Sequence, residues 1–357
     1  MSLKYISLAV LLTLYFSQIS FSQIKTKPKN IILMIGDGMG LAQISAGMVY
    51  REGDLNLSRF KKIGFIKTSS SDDYVTDSAA GATAFSIGKK TYNGAIGIDS
   101  SKKSHPTLLE IAEKNKMATG LVATCAITHA TPASFIAHVE SRKKYYEIAA
   151  EFIKTDVDVV IGGGLSYFNN RKDNKNLIDS LIKKNYTIYD SAYEVSNINS
   201  SKYYKFTNNY HLPKMSEGRG NFSETASIKA IETLSKNKKG FFLMIEGSQI
   251  DWGCHDSSLS YTVKEMIDFD NTIGKVLDWA IKDGNTLVIV TADHECGGLT
   301  LTAGSLKEKS LTAKFSTSDH TGIMVPVFAY GPGSDEFTGI YENTEIFHKI
   351  IKIVGLK

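Results

Sequence analysis

The sequence predicts an α/β protein, a three-layer sandwich in which a large, mostly parallel central sheet is flanked by helices. Three observations lead there. Short, wholly apolar runs recur along the chain, several ending in glycine-rich turns. Stretches with helical spacing of apolar residues lie between them. The 357 residues, 42% hydrophobic and 22% charged, suffice for one sizeable core. Strands buried on both faces read as continuous apolar runs, and their alternation with helices is the signature of a parallel sheet covered on both sides.

Along the chain, Met1 to Ser22 carries one charge, Lys4, then an apolar run from Ile6 to Phe16 and the small-x-small triplet Ser20-Phe21-Ser22. That is the pattern of a cleaved secretory signal. The apolar run is short for a membrane span, and no later segment is long enough to be one. Residues 23–357 are expected to form a single catalytic domain. The first strand is Asn30 to Ile35, ending at Gly36-Asp37-Gly38. Further strands are expected at Gly120 to Cys125, Val157 to Ile161, Phe241 to Ile245, Thr286 to Val290 and Met324 to Tyr330. Helical periodicity covers Thr107 to Asn115, Tyr145 to Lys154, Asn176 to Lys184, Thr225 to Lys236 and Ser260 to Ile281. Residues 169–221, rich in Asn, Lys and Tyr, are expected as a peripheral excursion.

The composition excludes a disordered chain, a collagen-like fibre and a cysteine-dense scaffold. A net charge of +4, or +3 once Lys4 leaves with the signal, is too weak to imply nucleic acid as a partner. Cys125, Cys254 and Cys296 match no zinc spacing. They read as small buried thiols, with a Cys254–Cys296 pairing left open.

In parallel α/β sheets, ligands bind beyond the carboxyl ends of the strands. Asp37 follows the first strand; Glu246, Asp251 and His255 follow Phe241 to Ile245; Asp293 and His294 follow Thr286 to Val290; His320 precedes the last strand. Imidazoles accompanied by carboxylates suit zinc. Asp251 and His255, four apart, share one face of a helical turn. Asp37 and Glu246 with a hydroxyl suit a hard cation such as magnesium. Thr76-Asp77-Ser78-Ala79-Ala80 precedes an Ala-rich helix former, which puts Ser78 at a helix N-terminus where an anion is stabilised. Taken alone, this motif reads more readily as Asp77 or Ser78 capping the helix. Arg142 carries a fork suited to phosphate, although a lone Arg is more often a surface charge.

Seven motifs together resemble the alkaline phosphatases. They are Asp37-Gly-Met-Gly40, Val75-Thr-Asp-Ser-Ala-Ala80, Lys90-Thr-Tyr-Asn-Gly94, Ala130-Thr-Pro-Ala133 with Ser141-Arg142, Ile245-Glu-Gly-Ser-Gln-Ile-Asp251, Thr291-Ala-Asp-His294 and His320-Thr-Gly322. They occur in that family's order over nearly the whole chain after the signal. The resemblance implies metal-dependent hydrolysis of phosphate monoesters through a phosphoserine, with an alkaline optimum. It implies Ser78 as nucleophile and Arg142 as phosphate clamp. It implies two zinc ions per chain, one on Asp251, His255 and His320, the other on Asp37, Asp293, His294 and Ser78. One magnesium is implied on Asp37, Thr131 and Glu246. His129 and Trp252 occupy positions behind these ligands, where the best-known bacterial form has Asp and Lys; the His/Trp pair is similar to marine and cold-living bacterial members. Further implications are inorganic phosphate as product and inhibitor, a homodimer, and export to the periplasm or medium. The alternative is a phosphodiesterase or another member of the superfamily, although neither Cys-x-Pro-x-Arg nor Ser-x-Pro-x-Arg is present.

Overall fold

A computed structural model describes residues 27–190 and 194–356. The expected signal segment lies outside them. Among the described residues no helix is long and apolar enough to cross a membrane.

Ten strands form one sheet. They are β1 (Asn30–Gly36), β2 (Lys62–Lys67), β3 (Ala118–Ala126), β4 (Val159–Gly163), β5 (Thr187–Tyr189), β6 (Tyr203–Phe206), β7 (Phe241–Gly247), β8 (Thr286–Thr291), β13 (Val325–Tyr330) and β14 (Gly339–Glu342). Between β8 and β13 come β9 (Glu295–Cys296), β10 (Leu299–Ser305), β11 (Ser310–Phe315) and β12 (His320–Thr321), which pair as β9 with β12 and β10 with β11. The main order is β14-β2-β13-β8-β1-β7-β3-β4-β6-β5. The block β8-β1-β7-β3-β4-β6-β5 is parallel throughout. β13 runs antiparallel to both β8 and β2.

Every residue of β1, β3, β4, β7 and β8 is buried, as continuous apolar runs require of strands covered on two faces. Helices flank them, the longest being Leu259–Asp283. Ser258 caps its start by accepting from the Tyr261 N–H, and Gly284, at φ 69°, ends it in the left-handed conformation. Its Phe269 packs beneath the carboxyl ends of the central strands, where Gly247 leaves room: a Cβ there would stand 2.5 Å from the Phe269 ring.

The strands and helices expected from periodicity are present, with ends displaced by up to a few residues. Val157 to Ile161 moves to Val159–Gly163, and the helix expected from Thr225 begins at Phe222. Four sheet strands have no counterpart in the expectation. β2 alternates buried and exposed positions, and β14 is largely exposed, so neither carries a continuous apolar run. The other two lie within 169–221. That segment is woven into the main sheet: β5 and β6 form its far edge, and all four residues of β6 are buried. Its core consists of aromatic rings, Tyr203, Tyr204 and Phe206, whose hydroxyls and irregular spacing obscure the pattern.

Candidate active site and metal centre

The functional residues converge at the carboxyl edge of the central strands. Ile35 of β1 pairs with Glu246 of β7 and with Thr291 of β8, so Asp37, Glu246 and Asp293-His294 leave the sheet side by side. β9 pairs with β12 in the register His320↔Cys296, which returns His320 to the same edge. Asp251 and His255 lie one turn apart on the helix Gln249–His255, their side chains 3.1 Å apart. β3 delivers His129 and, in the short helix Ala130–Ala133, Thr131.

Ser78 is the first residue of the helix Ser78–Ile87. That helix lies close against the β8 exit: a Cβ on Gly81 would stand 3.1 Å from the Asp293 Cβ, so glycine permits the approach. The helix start expected at Asp77-Ser78 is present. Asp77 caps the helix by accepting from the Ala80 N–H at 2.9 Å, and Ser78 turns its hydroxyl inward. Ser78 Oγ lies 3.2 Å from His294 Nε2 and donates to Asp37 Oδ1 at 3.5 Å. Arg142 is no free surface charge. Its Nη1 donates to Asp77 Oδ2 at 2.9 Å and its Nη2 to His129 Nε2 at 3.3 Å.

The donor set calls for cations. His255 and His320 each direct Nδ1 at a backbone carbonyl, of Ser318 at 2.6 Å and of Thr76 at 2.8 Å. Those carbonyls assign the ring protons to Nδ1 and leave both Nε2 atoms as acceptors. The two Nε2 atoms nevertheless face each other at 3.2 Å, with Asp251 Oδ2 3.1 Å from His255 and Oδ1 3.5 Å from His320. Such a gathering needs a positive charge, which a second proton on His255, shared with Asp251, supplies in the metal-free chain and which a metal ion would supply in its place. Asp37 Oδ1 and Asp293 Oδ2 each lie 3.4 Å from His294 Nε2, forming a second cluster with Ser78. Asp37 Oδ2, Thr131 Oγ1, Glu246 Oε1, Asp251 Oδ1 and Asp293 Oδ2 are buried with no hydrogen-bond partner. Buried polar groups are normally paired, so these orphaned oxygens fit hard divalent cations.

The titration behaviour of the metal-free chain agrees. Burial, reinforced by neighbouring carboxylates, pushes Asp37 well above the usual carboxylate range. Burial raises Glu246 and Asp293 to about 7. Burial also disfavours ionised Asp251, but His255 and His320 outweigh it and hold that carboxyl well below its usual value. Hydrogen bonding to Asp251 lifts His255 to about 9. Burial, with the charges of His320 and Arg142, keeps His294 neutral. A chain that must hold protons on clustered carboxylates gains by exchanging them for metal ions.

A family model described as alkaline phosphatase matches residues 28–314 and 305–356. The chain belongs to the alkaline phosphatase family. It is 35% identical to alkaline phosphatase 4 of Bacillus subtilis, over 93% of this chain and 90% of that protein. It is 33% identical to the Escherichia coli alkaline phosphatase, over 92% of this chain and 86% of that one. The structure of alkaline phosphatase from the Antarctic bacterium TAB5 is similar at 48% identity and a TM-score of 0.88, covering 93% and 99% of the two chains. A TAB5 variant with a histidine replaced by aspartate holds Mg in its M3 site. Membership carries the alkaline phosphatase reaction, hydrolysis of phosphate monoesters, and a dependence on metal ions.

The residues singled out in the sequence thus share one edge, Trp252 included. Its ring lies edge-on to His129, with centroids 5.8 Å apart, and to His211 at 4.9 Å. His211 was not singled out. It also meets His129 edge-on at 5.6 Å and accepts from the Ala126 N–H through Nδ1. Its loop is secured by Arg219, fully buried, which donates to the Pro213 carbonyl and pairs with Glu265 and Asp268. A histidine flanked by Tyr210 and Leu212 carries no local signal of this role.

Proposed function

We propose that the alkaline phosphatase reaction runs here through a phosphoserine on Ser78. The observation that carries this reading is the position of Ser78 Oγ. It sits at a helix N-terminus, 3.2 Å from His294 Nε2 and 3.5 Å from Asp37 Oδ1, and the preceding residue, Asp77, holds the Arg142 fork.

The residues divide into three sets that suit two zinc ions and one magnesium. Asp251, His255 and His320 would hold one zinc; Asp37, Asp293, His294 and Ser78 the other; Asp37, Thr131 and Glu246 the magnesium. Bound there, these ions would supply Lewis acidity that lowers the pKa of the Ser78 hydroxyl and of water and neutralises the leaving oxygen.

The protein's own part is orientation and charge. The helix Ser78–Ile87 presents the nucleophile and directs its positive dipole end at the dianion. Asp77 holds Nη1 of Arg142, so that the guanidinium plane is set before phosphate arrives to accept its remaining donors. Neutral His129 receives Nη2 and adds no negative charge there. Attack by Ser78 and then by water inverts phosphorus twice, giving net retention. The alkaline optimum fits an alkoxide nucleophile and release of phosphate from a strongly cationic site. Export to the periplasm or medium, pairing into a homodimer and inhibition by product phosphate belong to the same reading.

The test pairs activity with composition. A nitrophenyl phosphate monoester should be hydrolysed far faster than the corresponding diester, and elemental analysis should return two zinc and one magnesium per chain. Preference for the diester would move the chain to another branch of the superfamily. Full activity after exhaustive chelation would remove the metal assignment.

A further inference from the structure

The third cation position has a sulfur beside it. Cys125 Sγ, a ring nitrogen of His129 and a carboxylate oxygen of Glu246 all lie within 4.8 Å of one another. They come from three separate places: the end of β3, the residue before the helix Ala130–Ala133, and β7. At metal–ligand distances of about 2.0–2.3 Å, tetrahedral ligand atoms stand roughly 3–4 Å apart, so a small inward movement lets this set share one zinc-sized ion. Two of the three residues also carry buried atoms without partners, Glu246 Oε1 and His129 Nδ1. The Cys125 thiol is fully buried and donates to Glu246 Oε2 at 3.3 Å.

Magnesium takes oxygen donors in near-ideal octahedral geometry and has little use for sulfur or imidazole. Asp37, Thr131 and Glu246 offer it oxygens alone. Cys125 and His129 offer the neighbouring space to a softer ion. We propose that Cys125 is a metal donor of the third site, which together with His129 and Glu246 holds a thiophilic divalent cation such as zinc in competition with magnesium. The proposal rests on the assignment of a third cation position made above and goes beyond it in naming a sulfur ligand.

Loading replaces one bond by another. The S–H bond of Cys125 breaks, its proton leaves to solvent, and a sulfur–metal bond forms without change of oxidation state. His129 joins through Nδ1 in the tautomer whose proton sits on Nε2, and gives up its contact with Arg142.

Cadmium is the probe, because thiolate–cadmium bonds absorb in the ultraviolet while cadmium bound by oxygen and nitrogen alone does not. The chelated enzyme is titrated with cadmium, bound ions being counted by elemental analysis. Wild type, Cys125→Ser and the double variant Cys254→Ala/Cys296→Ala are compared. The double variant removes the thiol beside the Asp251, His255 and His320 cluster. Three ions per chain are expected, with a charge-transfer band in the double variant that excess magnesium abolishes. Cys125→Ser should lose that Cys125-dependent band and bind the third cadmium at least about tenfold more weakly. Three bound ions with no band in the double variant would overturn the proposal, leaving Cys125 as a buried thiol that donates to Glu246 or the Ala126 carbonyl. Two bound ions in every protein would instead overturn the third site itself. Should Cys125→Ser fail to fold, the double variant alone decides.

Discussion

Asp77 does three jobs with one carboxylate, and removing it tests how Ser78, the proposed nucleophile, and Arg142, the proposed clamp, are held. Its Oδ1 accepts from the N–H of Ala80 at 2.9 Å and of Gly94 at 3.0 Å; its Oδ2 takes Nη1 of Arg142 at 2.9 Å. In Asp77→Ala the helix cap is lost, at about 1 kcal/mol. The Gly94 N–H loses its partner, at about 1 kcal/mol. The ion pair, some four-fifths buried on both sides, contributes about 1 kcal/mol more. The total is about 3 kcal/mol. With about 2.1 cal/mol/K of unfolding entropy per residue, a chain of this length converts it into a Tm lower by about 4 °C. Asp77→Asn keeps an oxygen for both N–H groups but turns its NH2 towards Arg142 Nη1, losing the charge and that acceptor together, so its Tm should fall by about 1–2 °C. Both variants leave Arg142 less constrained, and inhibition by inorganic phosphate should weaken several-fold in each. The assays are calorimetry of the metal-loaded enzyme and phosphate inhibition of nitrophenyl phosphate hydrolysis. A Tm for Asp77→Ala within 1 °C of wild type would refute the structural half of the reasoning. An unchanged inhibition constant in both variants would refute the part concerning Arg142.

Ser78→Ala should form no phosphoenzyme trappable at low pH while retaining most of its metal, since Asp37, Asp293 and His294 remain; phosphate label on the variant protein would contradict the nucleophile assignment. Trp252→Lys puts a cation where an indole edge now meets His129 and His211, and should tighten phosphate inhibition while lowering kcat if product release limits turnover; unchanged inhibition would leave Trp252 a packing residue only. Burial raises the Glu113 carboxyl to about 7, remote from the site. The folded chain holds that proton and the unfolded chain does not, so this contribution is full below about pH 4.5 and is lost as pH rises to about 7. Glu113→Gln should therefore be more stable than wild type at pH 8, by about 1–2 kcal/mol after discounting for solvent screening, and not at pH 4; an equal gain at both pH values in calorimetry would show that the charge is not responsible.

How much of this was legible in the sequence depended on whether a residue's partner is announced by a strand end. Asp37, Glu246, Asp293 and His294 follow wholly apolar runs, so the sheet edge alone brings them together. Ser78 and Asp77 were legible as a helix start, but the ion pair from Asp77 to Arg142 spans 65 positions and has no periodicity. His211 remained hidden for a related reason. It lies in a stretch whose strand packs through tyrosines, and its contacts to His129 and Trp252 depend on a clasp formed by Arg219, Glu265 and Asp268. β2 went unread because a strand exposed on one face needs only alternate apolar residues, a weak signal over six positions, and the edge strand β14 because none of its four residues is buried. The three cysteines are free and buried, as their composition suggested, but the closeness of Cys125 to Glu246 exists only once β3 and β7 are paired.

The strand order has a consequence for how this protein comes into being. β1 is the first strand to be synthesised, yet both its neighbours, β7 and β8, arrive more than two hundred residues later. Closing loops of that length costs entropy before any contact rewards it. The middle of the sheet therefore cannot assemble on a growing chain until nearly all of it is available, and a nascent segment starting at β1 has nothing to pair with. Because Asp37, Glu246 and Asp293 leave the sheet at those pairings, the three carboxylates come together only once β7 and β8 have taken their places on either side of β1.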